Sequence, residues 1–253
     1  RAVGAGLTKT FSQDELVTDT LKILDGSFAV DKALADAYQN GGADAYLLKE
    51  LIRTMRQKLF AAESQVINGV NSDAGGFVGL RDDAQLNALA DTMVVEAGTA
   101  GTTADVQTSV YLVRSGDDDV AVIAGNDGNF DVAEEPVVIE KVVNPGTDNK
   151  VYPAYYTAVC GHMGLQYGGA FSAARLCNVE TALTDDDIYN ALSQFPASRP
   201  PTHIAMNRTA LKLLRNSRTA TNATGTGAPF PTEVEGIPIV VSDAVTSTEA
   251  IVA

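Results

Sequence analysis

Residues 44–80 read DAYLLKELIRTMRQKLFAAESQVINGVNSDAGGFVGL, a periodic apolar segment that runs into a turn rich in glycine and asparagine. Apolar side chains recur at the three- and four-residue spacing that places them along one side of a helix. They are Leu47, Leu48, Leu51, Ile52, Met55, Leu59 and Phe60. At ~1.5 Å rise per residue, a helix over residues 44–66 would be roughly 33 Å long. The stretch therefore predicts a structural axis for the molecule.

The composition describes a globular and strongly acidic chain. Its 253 residues, 45% of them hydrophobic, can bury a substantial core in one domain or in two closely packed ones. Lys and Arg total 18 against 32 Asp and Glu, which gives a net charge of −14. Because binding to nucleic acid depends largely on cationic neutralisation of phosphates, this balance argues against sequence-directed DNA or RNA binding. It is compatible with a container that holds nucleic acid without adhering to it.

Other sequence signals are sparse. Cys160 and Cys177 lie in different contexts with no metal-ligand spacing, which favours two reduced, packed thiols. No apolar run approaches the length of a membrane span, and no secretory signal is visible. Because the sequence begins at Arg1 without a Met, we expect a processed chain or the ordered part of a longer product.

The first half of the chain predicts short strands around the long helix. Residues 22–31 (KILDGSFAVD) place Asp25-Gly26 between two apolar runs, a hairpin or strand-turn signal, and residues 32–39 predict a short helix. Residues 110–113 and 120–124 flank an acidic turn and predict a β-hairpin. Three further strands are predicted at residues 137–143, 151–159 and 163–167, the first two joined by Asn144-Pro145-Gly146.

The second half predicts helices alternating with strands. Thr184 is the predicted N-cap of a helix with three acids in its first turn, and Asn207 is the predicted cap of a helix through residue 216. Strands are predicted at residues 202–206 and 235–241, with a flexible loop at 219–230. The order of elements predicts an α+β fold.

A search for chemistry finds no catalytic, cofactor-binding or metal-binding residues. The two histidines, His162 and His203, lie in no ligand or nucleophile motif. The acidic runs 117–119 and 185–187 lack the alternating ligand spacing of a calcium loop, so a turn and a helix cap explain them. We therefore expect a protein that is not an enzyme.

Four segments in consistent order resemble the major capsid proteins of tailed bacteriophages, which have the Hong Kong 97 fold. Residues 66–80 (VINGVNSDAGGFVGL) resemble the glycine-rich exit of that family's spine helix, and residues 108–114 (TSVYLVR) resemble its TSIYAVRFG segment. Residues 173–179 (AARLCNV) resemble AARIANI, and residues 205–209 (AMNRT) resemble YMNRT. The resemblance covers residues 20–253.

This resemblance implies a domain plan. Residues 1–21 would belong to an extended loop, with the family's N-terminal arm missing. Residues 22–181 would form mainly a peripheral domain containing the long spine helix. Residues 182–241 would form mainly an axial domain, and residues 242–253 a C-terminal segment.

The resemblance also implies the function. We expect a structural head protein that self-assembles through pentamers and hexamers into an icosahedral shell around double-stranded DNA, with no membrane partner. A scaffold, a portal and a decoration or cement protein would be its partners, and assembly would take place in the host cytoplasm. Three alternatives stay open: an encapsulin-like shell around protein cargo, an unrecognised enzyme, and an extracellular binding module.

Overall fold

The computed structural model describes residues 20–143 and 150–253 and has the predicted α+β composition of helices and sheets. Its elements, in chain order, are β1 Lys22–Asp25, β2 Phe28–Asp31, α1 Lys32–Asp36, α2 Gly42–Asn68, β3 Val94–Glu96, β4 Thr108–Val113, β5 Val120–Ala124, β6 Asp131–Val132, β7 Val137–Val142, β8 Val151–Thr157, β9 Val159–Tyr167, β10 Ala173–Val179, α3 Asp185–Leu192, β11 His203–Met206, α4 Arg208–Ala220, β12 Glu233–Val234 and β13 Ile237–Val241. Two short 3₁₀ turns lie at Gly69–Asn71 and Asn126–Gly128.

The long helix predicted over residues 44–66 is confirmed as α2, which extends two residues further at each end and has 27 residues. It begins after Gly41, whose φ of 108° only glycine adopts readily, and ends at Asn68, where Gly69 follows with a φ of 55°. At ~1.5 Å per residue the helix is about 40 Å long. It is therefore the longest element of the described chain.

The core lies on a six-stranded sheet with the order β12-β13-β11-β4-β10-β3. Strand β10 pairs with β3 and β11 pairs with β13 in parallel, and the other pairs are antiparallel. All seven residues of β10 are buried, because strands flank it on both edges and α3 packs against it. The aliphatic core between this sheet and its helices includes Leu176, Ile204 and Leu214.

Two smaller sheets surround this core. One contains β1-β9-β5, with β6 also paired to β9, and the other has the order β2-β8-β7. The predicted pairing of residues 137–143 with 151–159 is confirmed by β7 and β8, and the predicted strand at 163–167 forms the end of β9. The turn predicted at Asn144-Pro145-Gly146 lies outside the described residues.

The predicted hairpin of residues 110–113 with 120–124 is wrong. Strand β4 lies between β10 and β11 in the large sheet, whereas β5 pairs with β9. The acidic turn carries the chain from one sheet to the other. Residues 22–31 likewise form two strands around a turn but no hairpin, since β1 pairs with β9 and β2 pairs with β8. A turn signal marks a reversal of direction and leaves the pairing partner open.

The second half follows the sequence closely. Thr184 caps α3 in a reciprocal capping box with Asp187, and the Asn207 side chain accepts a hydrogen bond from the Ala210 N–H at the start of α4. Helix α4 extends four residues beyond the predicted end at 216, which shortens the predicted loop. The predicted strands are confirmed as β11 and β13.

The large sheet draws strands from both sides of residue 181. Strands β3, β4 and β10 precede that position and β11 to β13 follow it. The division into residues 22–181 and 182–241 stays a prediction, as does the C-terminal segment 242–253. The predicted loop segment 1–21 lies outside the described residues except for its last two positions.

Candidate assembly surfaces

A buried ion pair holds the C-terminal segment inside the core. Arg175, at the centre of β10, donates from Nη2 to Oε2 of Glu249 over 2.8 Å, and the two side chains are 2% and 1% exposed. The guanidinium also donates to the Ser109 hydroxyl over 3.0 Å and to the Leu86 carbonyl over 3.1 Å. Since a buried charge is costly without partners, this network fixes residue 249 against the large sheet.

Further contacts continue along the same segment. The Asn178 side chain donates to the Val252 carbonyl over 3.0 Å and accepts from the Val252 N–H over 2.9 Å. The Leu89 N–H donates to the Ala253 carbonyl over 3.3 Å. Residues 249–253 are therefore fixed against the large sheet, and we call this sheet with its attached C-terminal residues the frame.

A second buried network joins three connecting segments. The Asp119 carboxylate accepts from Nε of Arg114 over 2.7 Å, from Arg199 over 3.2 Å and from the Ser172 hydroxyl over 3.0 Å. The hydrogen bonds from Arg114 lower the pKa of Asp119 below its ordinary value, against the opposing effect of burial. The acid that ends the run 117–119 is thus a structural anchor.

The glycine-rich exit of α2 is tightly packed. The Gln65 side chain donates to the Phe77 carbonyl over 2.6 Å, and Asn68 donates to the Ala244 carbonyl over 2.7 Å. A Cβ at Gly76 would overlap the Gln65 carboxamide, and one at Gly79 would overlap the backbone of the Gly69 turn. These glycines permit close approach of the chain to itself, since a side chain at either position would collide with its neighbours.

The apolar side chains of α2 divide between two faces. Leu47 and Ala62 are buried, whereas Leu48, Ile52 and Leu59 are 58%, 47% and 54% exposed. Leu48, Ile52, Met55 and Leu59 recur at four- and three-residue spacing, so they share one side of the helix. We call these four residues the α2 stripe.

Cations border the α2 stripe. Lys49, Arg53 and Arg56 lie beside Leu48 and Ile52 around a shallow depression. Arg53 pairs with Glu50 one turn away, and Lys49 lies 5.6 Å from the centre of the Tyr38 ring. The stripe is therefore a positive apolar surface on an acidic chain.

A second exposed apolar surface lies on the three-stranded sheet. In the antiparallel register of β7 and β8, Glu140 lies opposite Pro153 and Val142 lies opposite Val151, so these side chains share a face. Val138, two residues before Glu140, lies on the same face and is 53% exposed. All five residues are exposed. We call them the β7–β8 ribbon.

The residues considered for chemistry do not come together. His162 lies exposed on β9, and His203 begins β11, where its Nδ1 lies 2.9 Å from the Thr202 hydroxyl. Asp187 caps α3, and Asp185 pairs with Arg218 of α4. No group of three or more metal-ligating side chains occurs in residues 20–143 and 150–253.

Both cysteines are free thiols. Burial raises the pKa of Cys177 to about 11, which keeps that thiol protonated near neutral pH. No helix of the described residues is long and apolar enough to cross a membrane.

The class of protein follows from the frame, the surfaces and a structural comparison. Exposed apolar surfaces on a fixed scaffold are typical of a subunit that binds other subunits. The fold is similar to that of a chain in the structure of bacteriophage Epsilon15, with a TM-score of 0.56 and 23% identity over 100% of this chain and 80% of that one. This is the Hong Kong 97 fold of phage capsid proteins.

The family is shown by the sequence. A model of the family described as Major capsid protein GP7 matches residues 1–253, and the chain belongs to that family. No curated protein matches. Weaker similarities connect the chain to the capsid of bacteriophage JBD30 (TM-score 0.45, 12% identity, 94% of this chain and 82% of that one) and to the SrpI encapsulin of Synechococcus elongatus (0.43, 13%, 63% and 74%).

The protein is therefore a structural subunit of a phage capsid shell, as the resemblance of its four segments indicated. Its copies associate into capsomers, and its place is the virion. The division of the apolar residues of α2 between two faces was not predicted from the sequence. The sequence did contain a signal for the buried network, because Arg175 is the one charged residue of a mostly apolar strand and a buried charge requires a partner.

Proposed function

We propose that the chain forms an icosahedral shell of pentamers and hexamers that encloses double-stranded DNA. The observation that carries this proposal is the pair of exposed apolar surfaces on a frame fixed by buried ion pairs. A rigid subunit with such surfaces loses little conformational freedom on association, so burial of the surfaces can favour a lattice.

Within this shell we assign residues 22–181 mainly to a peripheral domain and 182–241 mainly to an axial domain around the five- and six-fold centres. The extended loop would include residues 1–21. Adaptation between pentamers and hexamers would come from Gly41-Gly42 and from the loop after α4. The packing of Gly69 and Gly79 makes the exit of α2 a rigid corner in this proposal.

The role proposed for the shell is mechanical, with no catalysis by the chain. The net charge of −14 would keep packaged DNA from adhering to the wall, because phosphates and an acidic surface repel one another. A strongly positive lumen in the assembled shell would contradict this point. A scaffold, a portal and a decoration or cement protein complete the proposed set of partners, and assembly is assigned to the host cytoplasm.

Electron microscopy of the expressed protein tests the proposal. We expect uniform icosahedral particles, and particles from phage lysates should contain DNA that resists nuclease until the shell is opened. Particles that carry a specific protein cargo and no DNA would assign the chain to the encapsulin-like alternative. A protein that stays monomeric at all concentrations, with or without phage proteins, would overturn the shell.

A further inference from the structure

The α2 stripe and the β7–β8 ribbon are complementary in charge. Cations border the stripe, whereas residues 125–140, which lead into β7 and form most of it, contain five Asp and Glu and no Lys or Arg. Lys141, the next residue, lies on the other face of the strand. Glu134 and Glu135 are exposed and separated from β7 only by Pro136, and Glu140 lies within the ribbon itself. None of these three glutamates forms an ion pair with another described residue. Each surface therefore presents the chemistry that the other would bind.

The two surfaces are also similar in length and suited in shape to pack together. The α2 stripe from Leu48 to Leu59 is about 17 Å long at the helical rise. Along β7, the ribbon from Val138 to Val142 is about 13 Å long at the strand rise. A helix side packs naturally along one face of a sheet, and both surfaces have exposed aliphatic side chains for that contact.

The contact is not made within one chain. Leu48, Ile52 and Leu59 are about half exposed in the single chain, and so are Val138 and Val151 of the ribbon. Each surface is consequently available to a different molecule. A second copy of the chain supplies the missing partner for both surfaces at once.

We propose that the α2 stripe of one copy binds the β7–β8 ribbon of a neighbouring copy. Lys49 and Arg56 beside the stripe face Glu134 and Glu135 beside the ribbon, and the aliphatic side chains pack between them. Because the two surfaces differ, the contact is heterologous, and repetition of it closes rings or extends a lattice. This inference rests on the proposed shell and names one of its subunit contacts.

Zero-length cross-linking tests the contact directly. A carbodiimide joins a lysine amine to a carboxylate in contact with it, so particles are assembled from equal amounts of ¹⁴N- and ¹⁵N-labelled chain and treated with it. We expect peptides that join Lys49 to Glu134 or Glu135 with one light and one heavy half. Absence of these peptides, or peptides of a single label only, would overturn the contact.

Charge reversal gives an independent test. Lys49→Glu with Arg56→Glu, or Glu134→Lys with Glu135→Lys, should raise the concentration needed for assembly at least about tenfold, since like charges then meet. Combining all four substitutions should restore assembly toward the wild-type value. Assembly unchanged by either pair, or not restored by the combination, would show that the two surfaces do not meet.

A matched control uses the exposed side of α4. Arg208→Glu with Lys212→Glu changes the charge by the same amount away from both surfaces. Adding Glu134→Lys and Glu135→Lys to this control pair should give no restoration of assembly. If the wild-type chain forms no particles, the shell itself fails. If it forms them and the reversals have no effect, only this contact fails.

Discussion

At the scale of single residues, Arg175 is the side chain on which the frame depends most. Replacing it by Met would leave Glu249 buried without its cation, and removing one partner of such a pair costs about 3–5 kcal/mol. We expect Arg175→Met to lower the free energy of unfolding of the unassembled chain by that amount in a urea titration.

The double variant Arg175→Met with Glu249→Leu is the matched control. With both charges removed, the stability loss should be clearly smaller than for Arg175→Met alone, since no uncompensated carboxylate remains. Equal losses in the two variants would show that the packing of Arg175, and not its ion pair, stabilises the core.

Asp119 predicts a pH dependence at the same scale. Its folded-state pKa is lowered by hydrogen bonds from Arg114, so its contribution to stability is present above the unfolded value of about 3.9 and disappears as pH falls below that toward the folded pKa. Asp119→Asn should therefore be less stable than the wild type at neutral pH. Its stability should fall less than that of the wild type as the pH drops below about 4.

Thermal melting at a series of pH values would measure this difference. Asp118→Asn, one residue earlier and exposed, should keep the wild-type pH profile. A profile for Asp119→Asn that parallels the wild type would remove Asp119 as the source of the acid sensitivity.

At the scale of elements, the start of α3 illustrates a feature that sequence alone settles. The Asp187 N–H donates to the Thr184 hydroxyl over 3.2 Å, and the Thr184 N–H donates to the Asp187 carboxylate over 2.9 Å. Thr184→Ala should lower the free energy of unfolding by about 1 kcal/mol, whereas Thr184→Ser should preserve it. Chemical denaturation of both variants measures the difference, and equal stability would contradict the role of the cap.

Elements were predictable where the controlling interactions are local. The period of α2 and the caps at Thr184 and Asn207 each act within a few residues, so the sequence contains them. Pairing depends on distant segments, which is why the acidic turn after β4 was wrongly assigned to a hairpin. At that turn the Asp119 carboxylate, paired with Arg114, also accepts hydrogen bonds from Ser172 and Arg199. These residues lie too far along the chain for local reasoning to connect them.

The two exposed surfaces were likewise predictable only in part. The cations and leucines of α2 are visible in the sequence, but which leucines face outward is decided by packing against α1, β1 and β2. The β7–β8 ribbon likewise requires the register of two strands before its exposed face can be named.

At the scale of the whole molecule, the net charge of −14 predicts a salt dependence. Charges of one sign repel within a compact chain, and salt screens that repulsion over a Debye length of about 10 Å at 0.1 M. The melting temperature of the unassembled chain should therefore rise with sodium chloride between about 0.01 M and about 0.15 M. A falling melting temperature would mean that attractive ion pairs outweigh the general repulsion.

The buried position of Glu249 has a consequence for the timing of folding. The large sheet is built from residues 94–241, and its central arginine meets its counter-charge only when residue 249 arrives. A nascent chain still lacking that residue has an uncompensated cation in its core, which costs about 3–5 kcal/mol of stability. Chains that stop before residue 249 should therefore be poorer building blocks, because the sheet reaches its full stability only after that residue has been translated.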